Sequence, residues 1–192
     1  MSYCLKTNIS PLADNLQKAL VNHALEHEEF KTSDYAWLYE KYQQQGQETG
    51  SLGLYNLTPV LEQRVIESIP TALLDNQSFF IKLQVSTGIG LLPHIDYGRT
   101  SGLIFNLTED QSITRFYDWA VAEDQRGDTN FISNDKVIER QSICINPGEC
   151  WLFDHVSIHS IFPINDLRIT LNVLYQTLPY EDLVRLYQNI PR

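Results

Sequence analysis

From Ser78 to Gln176 the chain breaks repeatedly into short apolar stretches, and this pattern constrains its fold most. The stretches cover 79–85, 103–107, 113–119, 130–133, 137–145, 149–153, 157–162 and 167–176. Gly88, Gly90, Asp110, Gly127, Pro147-Gly148 and Pro163 punctuate them. Most are too short for a packed helix and bounded by turn formers, so they read as strands. Many short strands at fairly even spacing predict a sandwich, jelly roll or barrel. The last stretch shows the two-residue period of a strand. Leu167, Ile169, Leu171 and Val173 make one face, and Arg168, Thr170 and Asn172 the other.

The flanks differ. Ser10-Pro11 reads as a helix cap and first turn, followed by Leu12, Leu16, Leu20 and Ala24 at helical spacing. Thr58-Pro59 repeats the signal ahead of Val60, Leu61, Val65 and Ile66. Gln43 to Ser51 is polar and reads as a loop, and Asp34 to Tyr42 fits either a helix or a strand. Thr177 to Asn189 carries Leu183, Leu186 and Tyr187 on one helical face. The expected architecture is mainly β with flanking helices. Helices lie within about 1–75, a β core within about 78–176, and a closing helix within about 177–189, in one domain over 1–192.

The formal charge of −10 argues against a nucleic-acid partner, which demands clustered Lys and Arg. No apolar run approaches the ~20 residues that span a bilayer. Three cysteines without framework spacing, Cys4, Cys144 and Cys150, fit a reducing compartment. A cytoplasmic protein is expected. Cys144 and Cys150 lie in apolar stretches and are expected to be buried.

The chemistry-bearing residues cluster. His94-Ile95-Asp96 follows a Gly-rich turn and precedes an apolar run. In an extended segment, residues two apart point the same way. One imidazole and one carboxylate would thus meet, which is two thirds of a 2-His-1-carboxylate triad for non-haem Fe(II). The third ligand is His155 or His159, since strand parity admits both. A hairpin with its turn between Ile164 and Asn165 would place His159 opposite Thr170 and Ile161 opposite Arg168, favouring His159. A buried Arg168 guanidinium calls for an anion, and its planar fork suits a carboxylate.

His94-x-Asp96, then His159, then Arg168-x-Thr170 resembles the 2-oxoglutarate/Fe(II)-dependent dioxygenase superfamily. The resemblance spans roughly Phe79 to Gln176. It implies a double-stranded β-helix, a cupin-like jelly roll with helices packed on one sheet. It implies that His94, Asp96 and His159 bind Fe(II). It further implies that Arg168 and Thr170 hold the distal carboxylate of 2-oxoglutarate, with O2 as the other co-substrate. The implied reaction is hydroxylation coupled to oxidative decarboxylation. Asp96 favours that outcome, because family halogenases lack this carboxylate. The residues around His94 are similar to the amino-acid and aspartyl/asparaginyl hydroxylase branches, so a small-molecule or peptide substrate is expected.

Two other readings use the same residues. A cupin-like isomerase or lyase would need the metal but not 2-oxoglutarate, and a non-catalytic binding module would need only the fold. Arg99 is a candidate substrate contact or else a solvent-facing arginine. Tyr97 and Trp119 fit a substrate pocket or the core, and Gln84, on the strand before the His94 turn, is a candidate cofactor contact. His23-Ala24-Leu25-Glu26-His27 matches the inverted zinc-protease motif, but its polar, acidic setting reads as a solvated helix face.

Overall fold

The computed structural model describes residues 2–26, 51–87, 91–96, 98–109, 112–120, 132, 134–162 and 167–191. Among these residues, ten strands form two antiparallel sheets. The strands are β1 (Cys4–Lys6), β2 (Ser51–Asn56), β3 (Phe79–Thr87), β4 (Leu91–His94), β5 (Ser101–Asn106), β6 (Ile113–Trp119), β7 (Val137–Cys144), β8 (Cys150–Asp154), β9 (Ile158–Phe162) and β10 (Arg168–Tyr175). The six-stranded sheet runs β1-β8-β5-β10-β3-β2, and the four-stranded sheet β4-β9-β6-β7. From β3 to β6 and again from β7 to β10, consecutive strands alternate between the sheets in the manner of a jelly roll.

Helices cover the outer face of the larger sheet. They are α1 (Asp14–Glu26), α2 (Pro59–Ser68), α3 (Thr71–Leu74) and α4 (Tyr180–Gln188). Leu16, Leu20 and Ala24 of α1, Val65 of α2, Leu73 of α3 and Leu183 of α4 form one core cluster with the outward residues of the sheet. Ile169, Leu171 and Val173 of β10 belong to that cluster. Arg168, Thr170 and Asn172 therefore face the interior between the sheets, and they too are buried. The expected alternation on this strand holds, with both its faces covered.

Several expectations need correction. The N-terminal part is not purely helical. β1 pairs with β8, and β2, which takes in Ser51, pairs with β3. Both are edge strands, and their partners lie far along the sequence, so no local period marks them. Helix α1 starts at Asp14 rather than after Ser10. Thr7 donates from both its N–H and its hydroxyl to the Cys150 carbonyl, holding the chain at the sheet edge past the expected cap. Cys144 is exposed, because it sits on outermost strand β7, whereas Cys4 and Cys150 are buried. Burial pushes both buried thiols up to about 12. Residues 34–42, 43–50, 88–90, most of 130–133, His27 and Tyr97 lie outside the described residues. Among the described residues no helix is long and apolar enough to cross a membrane.

Two local features fix the frame and make testable contributions. Thr58 caps α2 by accepting from the Leu61 N–H at 3.3 Å. Thr58→Ala is expected to cost about 1 kcal/mol in urea unfolding, with the activity-related site untouched. At the turn before β8, the Glu149 carboxylate accepts from the Asn146 N–H, the Asn146 Nδ2, the Trp151 Nε1 and Lys6 Nζ. Burial acts to raise its pKa, but these donors outweigh it and lower the group to about 2. Its stabilising contribution is therefore complete above the unfolded value and fades as pH falls from about 4.5 toward about 2. Glu149→Gln should lose about 1–2 kcal/mol at neutral pH. Its unfolding curves should also depend less on pH across that acid window.

Candidate metal centre

The site lies between the two sheets, and each wall contributes differently. The four-stranded sheet brings the imidazoles together. His159 of β9 is the register partner of His94 on β4 and of Phe116 on β6. Their rings lie 4.4 Å apart, centroid to centroid. Asp96 sits two residues beyond the end of β4, and its N–H donates to the His155 carbonyl at 3.2 Å. That backbone bond turns the Asp96 carboxylate back toward the two imidazoles. One ligand atom from each of His94, Asp96 and His159 lies within 4.8 Å of the others. Among the described residues this is the one group of His, Cys, Asp or Glu arranged to hold an ion.

The donor set fits an ion. His159 Nε2 stands 3.4 Å from Asp96 Oδ2, and His94 Nε2 stands 3.7 Å from Asp96 Oδ1. Neighbouring ligands at about 2.1 Å from an octahedral ion lie about 3 Å apart, so modest side-chain rotation closes the set. The His159 tautomer also suits ligation. Its Nδ1 lies 2.9 Å from the Ser157 carbonyl and donates to it, which makes Nε2 the nitrogen that faces the Asp96 carboxylate. A ring nitrogen and an anionic oxygen at that separation suit a shared cation, a proton on Nε2 or a metal ion.

Burial alone would raise the Asp96 pKa. Contacts with His155 and His159 outweigh it and hold the carboxyl well below its ordinary value. His155, fully enclosed, is driven down to about 4 by burial against the raising influence of Asp96. The pair is best described as a neutral imidazole donating from Nδ1 to an ionised carboxylate, 2.6 Å apart. His155 thus touches a member of the triad without belonging to the three-residue set. The sequence offered His155 and His159 as rivals, and the structure gives them different places.

The six-stranded sheet supplies the opposite wall. Arg168 pairs in register with Ser86, and Thr170 with Gln84 and Asn106. Arg168, Thr170, Asn172 and Gln84 line the same cavity as His94, Asp96 and His159. The expected hairpin is wrong. β9 and β10 belong to different sheets, so His159 does not face Thr170 across a shared ladder. A turn and a sheet-to-sheet crossover of the same length look alike in sequence. The grouping of residues survives because both strands present these side chains inward from opposing walls.

Arg99 also lines the cavity and is ion-paired with Asp96 Oδ1. Trp119 packs with the outer cluster around Tyr117, Ile132 and Ile158 rather than in the cavity. His23 approaches the Asn56 carbonyl at 3.1 Å, remote from the triad. In sequence His155 follows Asp154 in a loop-like step, which fits a residue behind the metal ligands or simply an exposed one, and nothing there reveals a partner 59 residues away.

No protein-family model and no curated protein matches the chain. Solved structures do. The non-haem α-ketoglutarate-dependent carbocyclase SnoK of nogalamycin biosynthesis is similar over 92% of this chain and 80% of its own, with a TM-score of 0.58 and 12% identity. The epimerase SnoN, solved with Fe3+, α-ketoglutarate and nogalamycin RO, covers 92% and 79%, with a TM-score of 0.57 and 13% identity.

The chain has the double-stranded β-helix fold of the 2-oxoglutarate/Fe(II)-dependent oxygenases.

A third structure extends the likeness of this oxygenase fold to a different branch. The viral collagen prolyl hydroxylase vCPH from Paramecium Bursaria Chlorella virus-1, in its 2OG complex, matches over 91% of this chain and 96% of its own. Its TM-score is 0.52 and its identity 14%. The oxygenase fold is thus shared with proteins described as a carbocyclase, an epimerase and a hydroxylase. The fold therefore leaves the reaction outcome to the site.

Proposed function

We propose that this chain is a non-haem Fe(II) oxygenase that couples oxidative decarboxylation of 2-oxoglutarate to hydroxylation of a small molecule, such as an amino acid, or of a peptide or protein side chain. The observation that carries this reading is one cavity with two complementary walls. His94, Asp96 and His159 converge on one wall, and Arg168 with Thr170 projects from the other. Bound Fe(II) would supply the oxygen chemistry, and the protein would position and shield the reactants.

The roles of the residues follow from their chemistry. His94 and His159 offer imidazole nitrogens, and Asp96 offers an ionised carboxylate. Arg168 offers a planar, permanently charged fork to the distal carboxylate of the keto acid, and the Thr170 hydroxyl offers one further donor. Both are almost wholly buried, so the carboxylate they receive is withdrawn from competing water. Leu54, Leu91, Ile104 and Ile161 add apolar lining that limits water near the reacting centre.

The test needs no substrate. The protein is loaded anaerobically with Fe(II) and titrated with 2-oxoglutarate while the visible spectrum is recorded. A saturable charge-transfer band that is lost in Asp96→Ala is the expected result. Tight metal binding without a band would instead support a metal-dependent isomerase or lyase on the same fold.

A further inference from the structure

His155 is fully enclosed beside the triad, and both its main chain and its side chain engage Asp96. The Asp96 N–H donates to the His155 carbonyl at 3.2 Å, and the His155 N–H donates to the Thr100 carbonyl at 3.1 Å. The short span from Asp96 to Thr100 is thereby clipped to a single residue. From the side-chain direction, His155 Nδ1 lies 2.6 Å from Asp96 Oδ2. Arg99, within the clipped span, is ion-paired with the other oxygen, Oδ1. A carboxylate has about four lone-pair sites, and two of those on Asp96 are thus engaged, one on each oxygen.

We propose that His155 is a positioning residue that, together with Arg99, fixes the orientation of the Asp96 carboxylate at the metal centre. This deepens the preceding proposal and rests on its reading of Asp96 as a ligand. A carboxylate free to turn must be ordered before it can ligate an ion, and it loses affinity to that freedom. Donors seated on both oxygens oppose that rotation and leave one lone pair on each oxygen for an ion.

The packing around His155 suits a ring at this place. A Cβ on Gly102 would lie 2.8 Å from His155 Nε2 and 2.9 Å from the Val173 carbonyl, so a side chain there would displace the imidazole. Among the described residues, His155 Nε2 is itself buried without a hydrogen-bond partner. Leaving a ring nitrogen unsatisfied is costly, and a residue chosen for packing alone would not carry it. The other ring nitrogen, aimed at Asp96, gives the imidazole its reason to be there.

The test compares the full chain with His155→Asn and His155→Gln in anaerobic Co(II) titrations followed by the visible d–d bands. Asparagine places an amide N–H near the original Nδ1, whereas glutamine places it farther out, near Nε2. The glutamine variant should bind Co(II) about 10–100-fold more weakly and with altered band intensity, while asparagine stays within about threefold of wild type. Arg99→Gln should move the spectrum in the same direction. Wild-type affinity and spectrum in a folded His155→Gln variant, or equal losses in the two His155 variants, would overturn the proposal. Should His155→Gln fail to fold, an unchanged spectrum in Arg99→Gln overturns it instead. Absence of Co(II) binding by the wild-type chain has a separate meaning, because it removes the metal reading on which the role of His155 rests.

Discussion

His159→Ala is expected to abolish stoichiometric Fe(II) binding, measured by anaerobic equilibrium dialysis with metal analysis. The substitution removes one of two imidazole donors and leaves Asp96 beside a single nitrogen ligand. His159 is buried between His94 and Phe116 on the four-stranded sheet, so water replaces the lost donor poorly. The loss should exceed the about 10–100-fold weakening that follows removal of an outer-shell partner. His155→Ala provides the contrast. It removes a donor to Asp96 rather than a ligand, so metal binding should weaken within that range and persist. If His155→Ala removes the metal and His159→Ala does not, the ligand assignment is reversed.

Arg168→Ala should leave the metal in place and weaken 2-oxoglutarate binding about 100–1,000-fold, the effect of deleting a buried charged partner of a carboxylate. Titration of the Fe(II)–keto-acid band and calorimetry of the metal-loaded protein would both report it. Arg168→Lys should recover part of the loss, because an ammonium keeps the charge but not the two-pronged geometry. Thr170→Val should cost about 10–100-fold, the scale of one hydrogen bond to a charged acceptor. The two residues stand in register with Ser86 and Gln84 on β3, in the middle of the larger sheet. If Arg168→Ala also removes the metal, the guanidinium is serving the packing between the sheets instead of a ligand.

The double-stranded β-helix was legible because its strands are short, apolar and separated by strong turn formers. β6 falls within the bounds read from the sequence, and β3, β8, β9 and β10 fall within a residue or two of theirs. Strand β10 was legible in finer detail. Alternation alone separated Ile169, Leu171 and Val173 from Arg168, Thr170 and Asn172, and the two sets do face opposite sides of the sheet. Edge strands β1 and β2 were not legible. Three residues carry no measurable period, and Ser51–Asn56 contains a glycine and no β-branched residue, so only pairing with β8 and β3 makes them strands.

The candidate site divides in the same way. The sequence alone determined which residues are chemically eligible: a His-x-Asp pair, a small set of other histidines, and an arginine on the polar face of a buried strand. Eligibility follows from side-chain chemistry and from strand periodicity, both of which are local. Only the tertiary structure decided that β9 and β10 lie on opposite walls rather than in one hairpin. Only it placed His159 across from His94 and set His155 behind the Asp96 carboxylate. Those choices depend on which sheet each strand joins, a matter of long-range hydrogen bonding and packing between segments tens of residues apart. No local spacing encodes that choice, because a chain of the same length can close a turn or cross between sheets.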